Sequence, residues 1–239
     1  MPKKVNILDR PPPRYFTAWS YSRWADHAEC PRRARLKHLD KVPESAEKSP
    51  ALVRGDTIHK LAEKYVKGEV ARLPAELKSF TDEFKTLRKI KATAEGKWGL
   101  TLKWEPSDFF DWDRTWLRVV LDAHHPVGTD RVKVIDYKTG KVYGTNAEQL
   151  ELYALAGFAH YPDVKVVETE LWYLDQGEIL PADEDARTFT IKQVPKLQKK
   201  WRERVIPLLR DKKFVPRPGP HCHRCAYSKK KGGPCEFGG

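Results

Sequence analysis

Two stretches of alternating apolar residues, each carrying a carboxylate, constrain this chain more than any other feature. In Val132-Lys-Val-Ile-Asp-Tyr-Lys138, side chains that repeat every second residue put Val132, Val134, Asp136 and Lys138 on one face of a strand. The upstream run Leu117-Arg-Val-Val-Leu-Asp122 also closes on an acid, and Pro126-Val-Gly-Thr between the two reads as a turn. A hairpin centred near residue 129 sets Asp122 opposite Asp136. Two carboxylates ending a mostly apolar sheet repel one another and lose hydration, so they call for a compensating cation. Mg2+, bound by one or two carboxylates with water and phosphate at its other positions, meets that need. The competing reading makes Asp136 and Lys138 an ordinary surface ion pair.

The remaining pattern supplies a frame for that hairpin. Runs at 100–104, 116–122, 132–138 and 166–174 suit strands. Helical spacing marks 51–67, a stretch after Pro74, 146–159 and 194–209, with Gly68 as a stop and Asn146 as a cap. Ser20 or Ser22 caps a short helix toward Cys30, and Pro31 opens a second one through Leu39. Pro11, Pro12 and Pro13 make 1–19 an irregular arm, 41–50 reads as a linker, and Asp175-Gln-Gly as a turn. Helix, three strands, helix, strand predicts an α/β fold, a mixed central sheet flanked by helices. With 239 residues, 40% of them apolar, one domain spanning 1–239 with appended terminal segments is expected.

Lys and Arg number 45 against 33 Asp and Glu, a net charge of +12 that attracts polyanions, nucleic acid foremost; a generic basic protein is the alternative. The longest apolar or small run, 152–159, is far below the ~20 residues of a membrane span. The first residues carry no apolar stretch behind their charges, and the four cysteines are not spaced as a secreted disulfide scaffold. These features predict a cytoplasmic protein without a membrane partner. No Gly-x-x-x-x-Gly-Lys-Ser/Thr loop occurs, which argues against ATP-driven helicase activity in this chain.

Four ordered motifs carry a family resemblance: Arg54-Gly-x-x-x-His59, Leu121-Asp122, Val134-Ile-Asp-Tyr-Lys-Thr-Gly-Lys141 and Gln149-x-x-x-Tyr153. Together they resemble the RecB-like exonuclease branch of the PD-(D/E)xK nuclease superfamily, with Leu121 where that pattern has proline. The resemblance implies a restriction-endonuclease-like core and metal-dependent hydrolysis of DNA, chiefly from single-stranded or frayed ends. It further implies that His59, Asp122, Asp136 and the Tyr137 carbonyl bind Mg2+ or Mn2+, that Lys138 is the catalytic lysine, and that Gln149, Tyr153 and Glu95 belong to the site. For His59 the alternative is a hydrogen-bonded histidine at a helix edge, and for Tyr153 packing among Leu152 and Leu155. Replication, recombination or repair, phage or prokaryotic, is the implied setting, with a helicase, recombination or adaptation protein as partner.

Cys30, Cys222, Cys225 and Cys235 resemble the set found in iron-sulfur members of that branch, the CRISPR-adaptation exonucleases and AddB-type nuclease domains. Four thiolates suit a 4Fe-4S cluster, which would join residues 20–50 with 211–239 as a cluster-binding subdomain and staple the chain ends. Structural Zn2+ using His221 or His223 is the competing assignment, and unligated thiols the third. Arg32, Arg33, Arg35 and Lys37, with Lys229, Lys230 and Lys231, are candidate phosphate contacts. Among the eight tryptophans some could stack bases, but Trp19, Trp24 and Trp172 read as core. A catalytically silent DNA-binding or adaptation subunit, and a sequence-specific restriction-type endonuclease, are the other functional readings.

Overall fold

A computed structural model describes residues 15–44, 50–141 and 147–238. The expected arm lies outside the described residues up to residue 14, as do residues 45–49 of the linker and the Asn146 cap. The chain divides into two compact units, Met1–Glu47 with Arg204–Gly239, and Lys48–Glu203.

The larger unit is built on a seven-stranded mixed sheet. Its strands are β1 (Thr93–Leu100), β2 (Pro106–Ser107), β3 (Leu117–Val127), β4 (Arg131–Lys138), β5 (Val166–Tyr173), β6 (Glu178–Leu180) and β7 (Thr188–Thr190). The order is β2-β1-β3-β4-β5-β6, with β7 also on β5. Only β4 and β5 run parallel, and the helix α5 (Ala147–His160) connects them, as a parallel pair requires. The β3–β4 ladder runs from Val127↔Arg131 to Ala123↔Ile135, which centres the hairpin on residue 129 as expected. The turn itself is Gly128-Thr-Asp130, where Gly128 takes φ 64°; Pro126 and Val127 still belong to β3.

The first strand departs from expectation. It covers Thr93–Leu100 rather than 100–104, and 101–105 is a turn closed by Trp104 N–H to Thr101 O at 2.9 Å and Thr101 N–H to Glu105 O at 2.8 Å. Gly96 and Gly99 hid the strand, since glycine is depleted in sheets. Here both are required, because a Cβ would come within 2.8 Å of Leu121 Cδ1 at Gly96 and of Ser107 O at Gly99. Glu95 therefore lies within β1, not before it, and has φ 58°.

Helices cover both faces. On one side α3 (Pro50–Val66) and α4 (Thr81–Lys89) pack Ile58, Ala62, Tyr65, Phe84 and Leu87 against Ala123, Ile135, Tyr137 and Trp172. Phe80 stacks on Trp172 at 5.1 Å, and Phe84 leans on Tyr137 at 5.2 Å. On the other side α5 approaches β4 and β5 so closely that a Cβ at Gly157 would stand 3.0 Å from Val167 and 3.6 Å from Val132. Beyond it, Lys200 and Trp201 of α7 (Val194–Arg210) both hold Glu151, at 2.6 and 2.8 Å. This mixed sheet between helical layers fits the restriction-endonuclease-like architecture. No helix among the described residues is long and apolar enough to cross a membrane.

The smaller unit contains α1 (Tyr21–Glu29), capped by the Ser20 side chain, and α2 (Pro31–Ala34), which continues as a π-helical turn through Leu39. Trp19 is fully buried, and Phe16 packs edge-on against Phe214 at 6.0 Å. Buried Asp26 gathers Arg33, Lys37 and His38 at 3.0, 3.2 and 2.7 Å.

His124 tests the α5 side of the sheet. It is buried against Trp98 at 4.7 Å and hydrogen-bonds Tyr161 Oη through Nδ1 at 2.7 Å. Burial, then the nearby His125 and His160, lower its pKa from 6.5 to about 4. The folded chain therefore holds it neutral while the unfolded chain protonates near 6.5, so stability is full above that pH and falls as pH drops toward about 4. The loss should reach about 3 kcal/mol. Urea denaturation across this range should show it, and His124→Gln should flatten the slope.

Candidate active site

Above Ala123↔Ile135 the next cross-strand position would pair Asp122 with Asp136, and there the ladder stops. Asp122 Oδ2 instead accepts the Tyr137 backbone N–H at 2.6 Å. On the other flank the β1–β3 ladder passes from Ala94↔Ala123 to Gly96↔Leu121, skipping Glu95 and Asp122. Asp122 thus sits where both ladders are interrupted, with its carboxylate released from the sheet pattern. His59, reaching over from α3, places Nδ1 2.8 Å from Asp122 Oδ1.

Electrostatics follow from this confinement. Burial raises the Asp122 carboxyl pKa and the Asp136 charge adds to it, while the hydrogen bonds from His59 and Tyr137 pull downward without cancelling the rise. For His59, burial works to lower the pKa, but the Asp122 hydrogen bond and the charges of Asp122 and Asp136 outweigh it. The site is short of positive charge, which is the condition a bound cation relieves.

Asp136 faces α5, as the alternation of β4 requires. Its Oδ1 accepts the Tyr153 hydroxyl, and its Oδ2 lies 2.5 Å from Lys138 Nζ. That Oδ2 is otherwise buried without a hydrogen bond. Lys138 also donates to Gln149 Oε1 at 3.2 Å, and Gln149 Nε2 donates to Tyr153 Oη at 2.5 Å. Four side chains from β4 and one face of α5 therefore close a ring, Asp136–Lys138–Gln149–Tyr153. Tyr153 is buried as the packing alternative requires, yet its hydroxyl is spent on Asp136.

Asp122 and His59 open onto a cleft of about 650 Å³, also lined by Gly55, Asp56, Lys60, Glu63, Glu95, Val120, Tyr137 and Thr139. Glu95 thus stands at the cleft, ion-paired to Lys97 at 3.1 Å. Sequence reasoning missed the clamp that holds α3 here. Arg54 grips Asp175 with both terminal nitrogens, at 2.9 and 2.5 Å. Asp175 in turn accepts the Gly140 N–H at 2.7 Å, just after β4. Gly55 belongs to the same fit, since a Cβ there would lie 3.0 Å from Thr139 Oγ1. Both ends of the clamp were visible, as the arginine beside Gly55 and the acid of the Asp175 turn, but 121 residues separate them.

The cysteines lie in the smaller unit. Cys30, Cys222, Cys225 and Cys235 form no disulfide, and all line one cavity with Arg32, Arg33, His221 and Tyr227. Backbone N–H groups point at the sulfurs: Arg217 at Cys30 (3.5 Å) and Gly219 at Cys222 (3.4 Å). Burial pushes the Cys225 thiol pKa up, opposed by a backbone hydrogen bond from Tyr227. Among the described residues no three His, Cys, Asp or Glu side chains stand as a ready-made metal cage, either here or at the hairpin.

The basic clusters are less free than their sequence suggests. Arg33 pairs with Asp26 and Glu29, Arg35 with Asp40 at 3.1 Å, and Lys37 with Asp26. Lys229 and Lys230 are exposed on a short 3-10 turn, whereas Lys231 donates to Arg224 O at 3.1 Å. Arg32 lies at the cysteine cavity.

A family model, the PD-(D/E)XK nuclease superfamily, matches residues 18–229. Among solved structures, the crystal structure of SSO0001 is similar over 93% of this chain and 88% of its own, at 16% identity and a TM-score of 0.45. No curated protein matches the chain.

Proposed function

The chain belongs to the PD-(D/E)XK nuclease superfamily, and from that premise we propose that it hydrolyses phosphodiester bonds in DNA at the Asp122–Asp136–Lys138 centre, as an exonuclease of the RecB-like branch. The observation that carries the proposal is the convergence of His59 and Asp122, 2.8 Å apart, beside the Asp136–Lys138 pair at 2.5 Å.

Asp122, Asp136 and His59 would hold Mg2+ or Mn2+, with the Tyr137 carbonyl as a further ligand; carboxylates with one imidazole suit either ion. The raised Asp122 pKa, which a bound cation would relieve, supports that fit. Such a cation, when bound, supplies Lewis-acid polarisation of the scissile phosphate. The Lys138 ammonium orients the attacking water and offsets charge that builds on the phosphate oxygens. Gln149 and Tyr153 position Lys138 and Asp136, and Glu95 acts at the cleft wall. DNA with single-stranded or frayed ends is the substrate, in replication, recombination or repair. A catalytically silent scaffold is disfavoured because both acids and the lysine are present, with Lys138 paired to Asp136 and His59 to Asp122.

For the smaller unit we propose a cysteine subdomain that binds a 4Fe-4S cluster, with zinc as the alternative. The shared cavity and the N–H groups aimed at sulfur support a set of thiolates, because such donors favour the charged form.

Asp122→Ala and Lys138→Ala should each abolish cleavage of end-labelled linear DNA in Mg2+ while gel shifts show binding retained. Closed circular DNA should resist the wild-type chain; cutting in both variants would overturn the mechanism. Anaerobically purified protein should be brown with about four irons per chain. A colourless protein carrying zinc selects the alternative, and a metal-free one removes both.

A further inference from the structure

The segment between β1 and β3 presents aromatic side chains that the site does not use. Trp112 is 71% exposed and Phe110 60%, in a chain where most aromatic rings are buried. Their loop is nonetheless tightly built. Asp108 Oδ1 accepts the Phe110 N–H at 2.6 Å, and Asp111 Oδ1 accepts those of Asp113 and Arg114 at 3.1 and 3.0 Å. Thr115 Oγ1 donates to Asp108 O at 2.6 Å, and Gly99 leaves the space that lets Ser107 fold onto β1. Beneath the loop, Arg118 donates through Nε to Phe109 O at 2.8 Å and lays its guanidinium 4.6 Å from the Trp112 ring. One face of the indole rests on this cation while the residue as a whole stays largely open to solvent.

Arg118 stands on the strand that carries Asp122. Alternation puts Arg118, Val120 and Asp122 on one face of β3, with Lys97 of β1 paired opposite Val120. Val120 is 48% exposed and lines the same cleft as Asp122 and His59. At about 3.3 Å per residue the track from Arg118 to Asp122 is roughly 13 Å long, the scale of a short run of extended nucleotides. It offers ring faces at one end, an apolar step and a lysine in the middle, and Asp122 with His59 at the other.

We propose that the Phe110–Trp112 loop and this open face of β1 and β3 seat the unpaired bases of a DNA strand leading into the Asp122 cleft. The proposal rests on the nuclease reading and adds the element that selects single strands over duplex. Bases within a duplex hide their faces in the stack, whereas each unpaired base presents one to an exposed ring. Lys103, Arg114 and Arg118 in and beside the loop are outnumbered by Glu105, Asp108, Asp111 and Asp113, so its contribution comes from stacking and not from phosphate attraction. It should therefore vary little with salt.

The test is fluorescence anisotropy of a labelled oligothymidylate with the full chain, without divalent metal so that the strand stays intact. Trp112→Ala should weaken binding roughly tenfold, by the same factor at low and high salt, and Phe110→Ala should weaken it less. Trp112→Phe should restore most of the affinity, and a blunt duplex should bind all of these chains alike. Affinity unchanged by Trp112→Ala would overturn the proposal. Equal losses on single strand and duplex, or no rescue by phenylalanine, would overturn it as well. Cleavage by the wild-type chain in Mg2+ is scored in parallel. A chain that cuts but ignores Trp112 fails here alone, and one that never cuts fails the catalytic reading while the binding data still decide this one.

Discussion

Two carboxylates carried by the adjacent middle strands of a packed sheet, β3 and β4, are the constraint around which the larger unit is arranged. Asp122 cannot keep its charge cheaply, since burial and the neighbouring Asp136 charge both work against its ionisation. The surrounding structure answers from several directions. The ladder parts at Asp122 so that the Tyr137 N–H turns to its carboxylate, α3 delivers His59, β4 supplies Lys138, and α5 adds the Tyr153 hydroxyl on Asp136. Remaining negative charge, evident in the raised Asp122 pKa, makes the hairpin a place where a divalent cation would be welcome.

Precision at such a centre requires that the elements bringing these groups be fixed independently of it. The α3 helix is fixed twice: by the core of Ile58, Ala62 and Tyr65 against Ala123 and Tyr137, and by the Arg54–Asp175–Gly140 clamp. The α5 helix is fixed by the close approach of Gly157 to Val132 and Val167 and by the hold of Lys200 and Trp201 on Glu151. Sheet alternation then separates the tasks of β4: Ile135 and Tyr137 enter the α3 side of the core, while Asp136 and Lys138 turn to α5. The smaller unit uses the same economy, with the Asp26 cluster bracing the helices on either side of Cys30.

Much of this was legible beforehand, and the failures have identifiable causes. The hairpin centre and the shared face of Asp136 and Lys138 follow from period-2 alternation and turn chemistry, which are local. Gln149 and Tyr153 were readable as an i, i+4 pair. The first strand was misplaced because its two glycines suppress the strand signal, and they are there for close contacts with Leu121 and Ser107. The strands β6 and β7, three residues each, are too short to carry a pattern. Arg33 and Arg35 looked like phosphate contacts because their partners, Asp26, Glu29 and Asp40, are set by helix geometry. Trp112 is the opposite case, because nothing local in the sequence sets an exposed indole apart from a buried one among the eight tryptophans.

The amino-acid sequence by itself determined the long helices, the strands of the central hairpin with its centre, and the types of side chain at its open end, because periodicity and turn propensity act over a few residues. Only the tertiary structure decided which distant groups meet there: His59 with Asp122 across 63 residues, Arg54 with Asp175 across 121, and four cysteines around one cavity. Those meetings depend on how helices pack on the sheet and how the chain's ends return to each other, which summed burial decides and no short window of residues records.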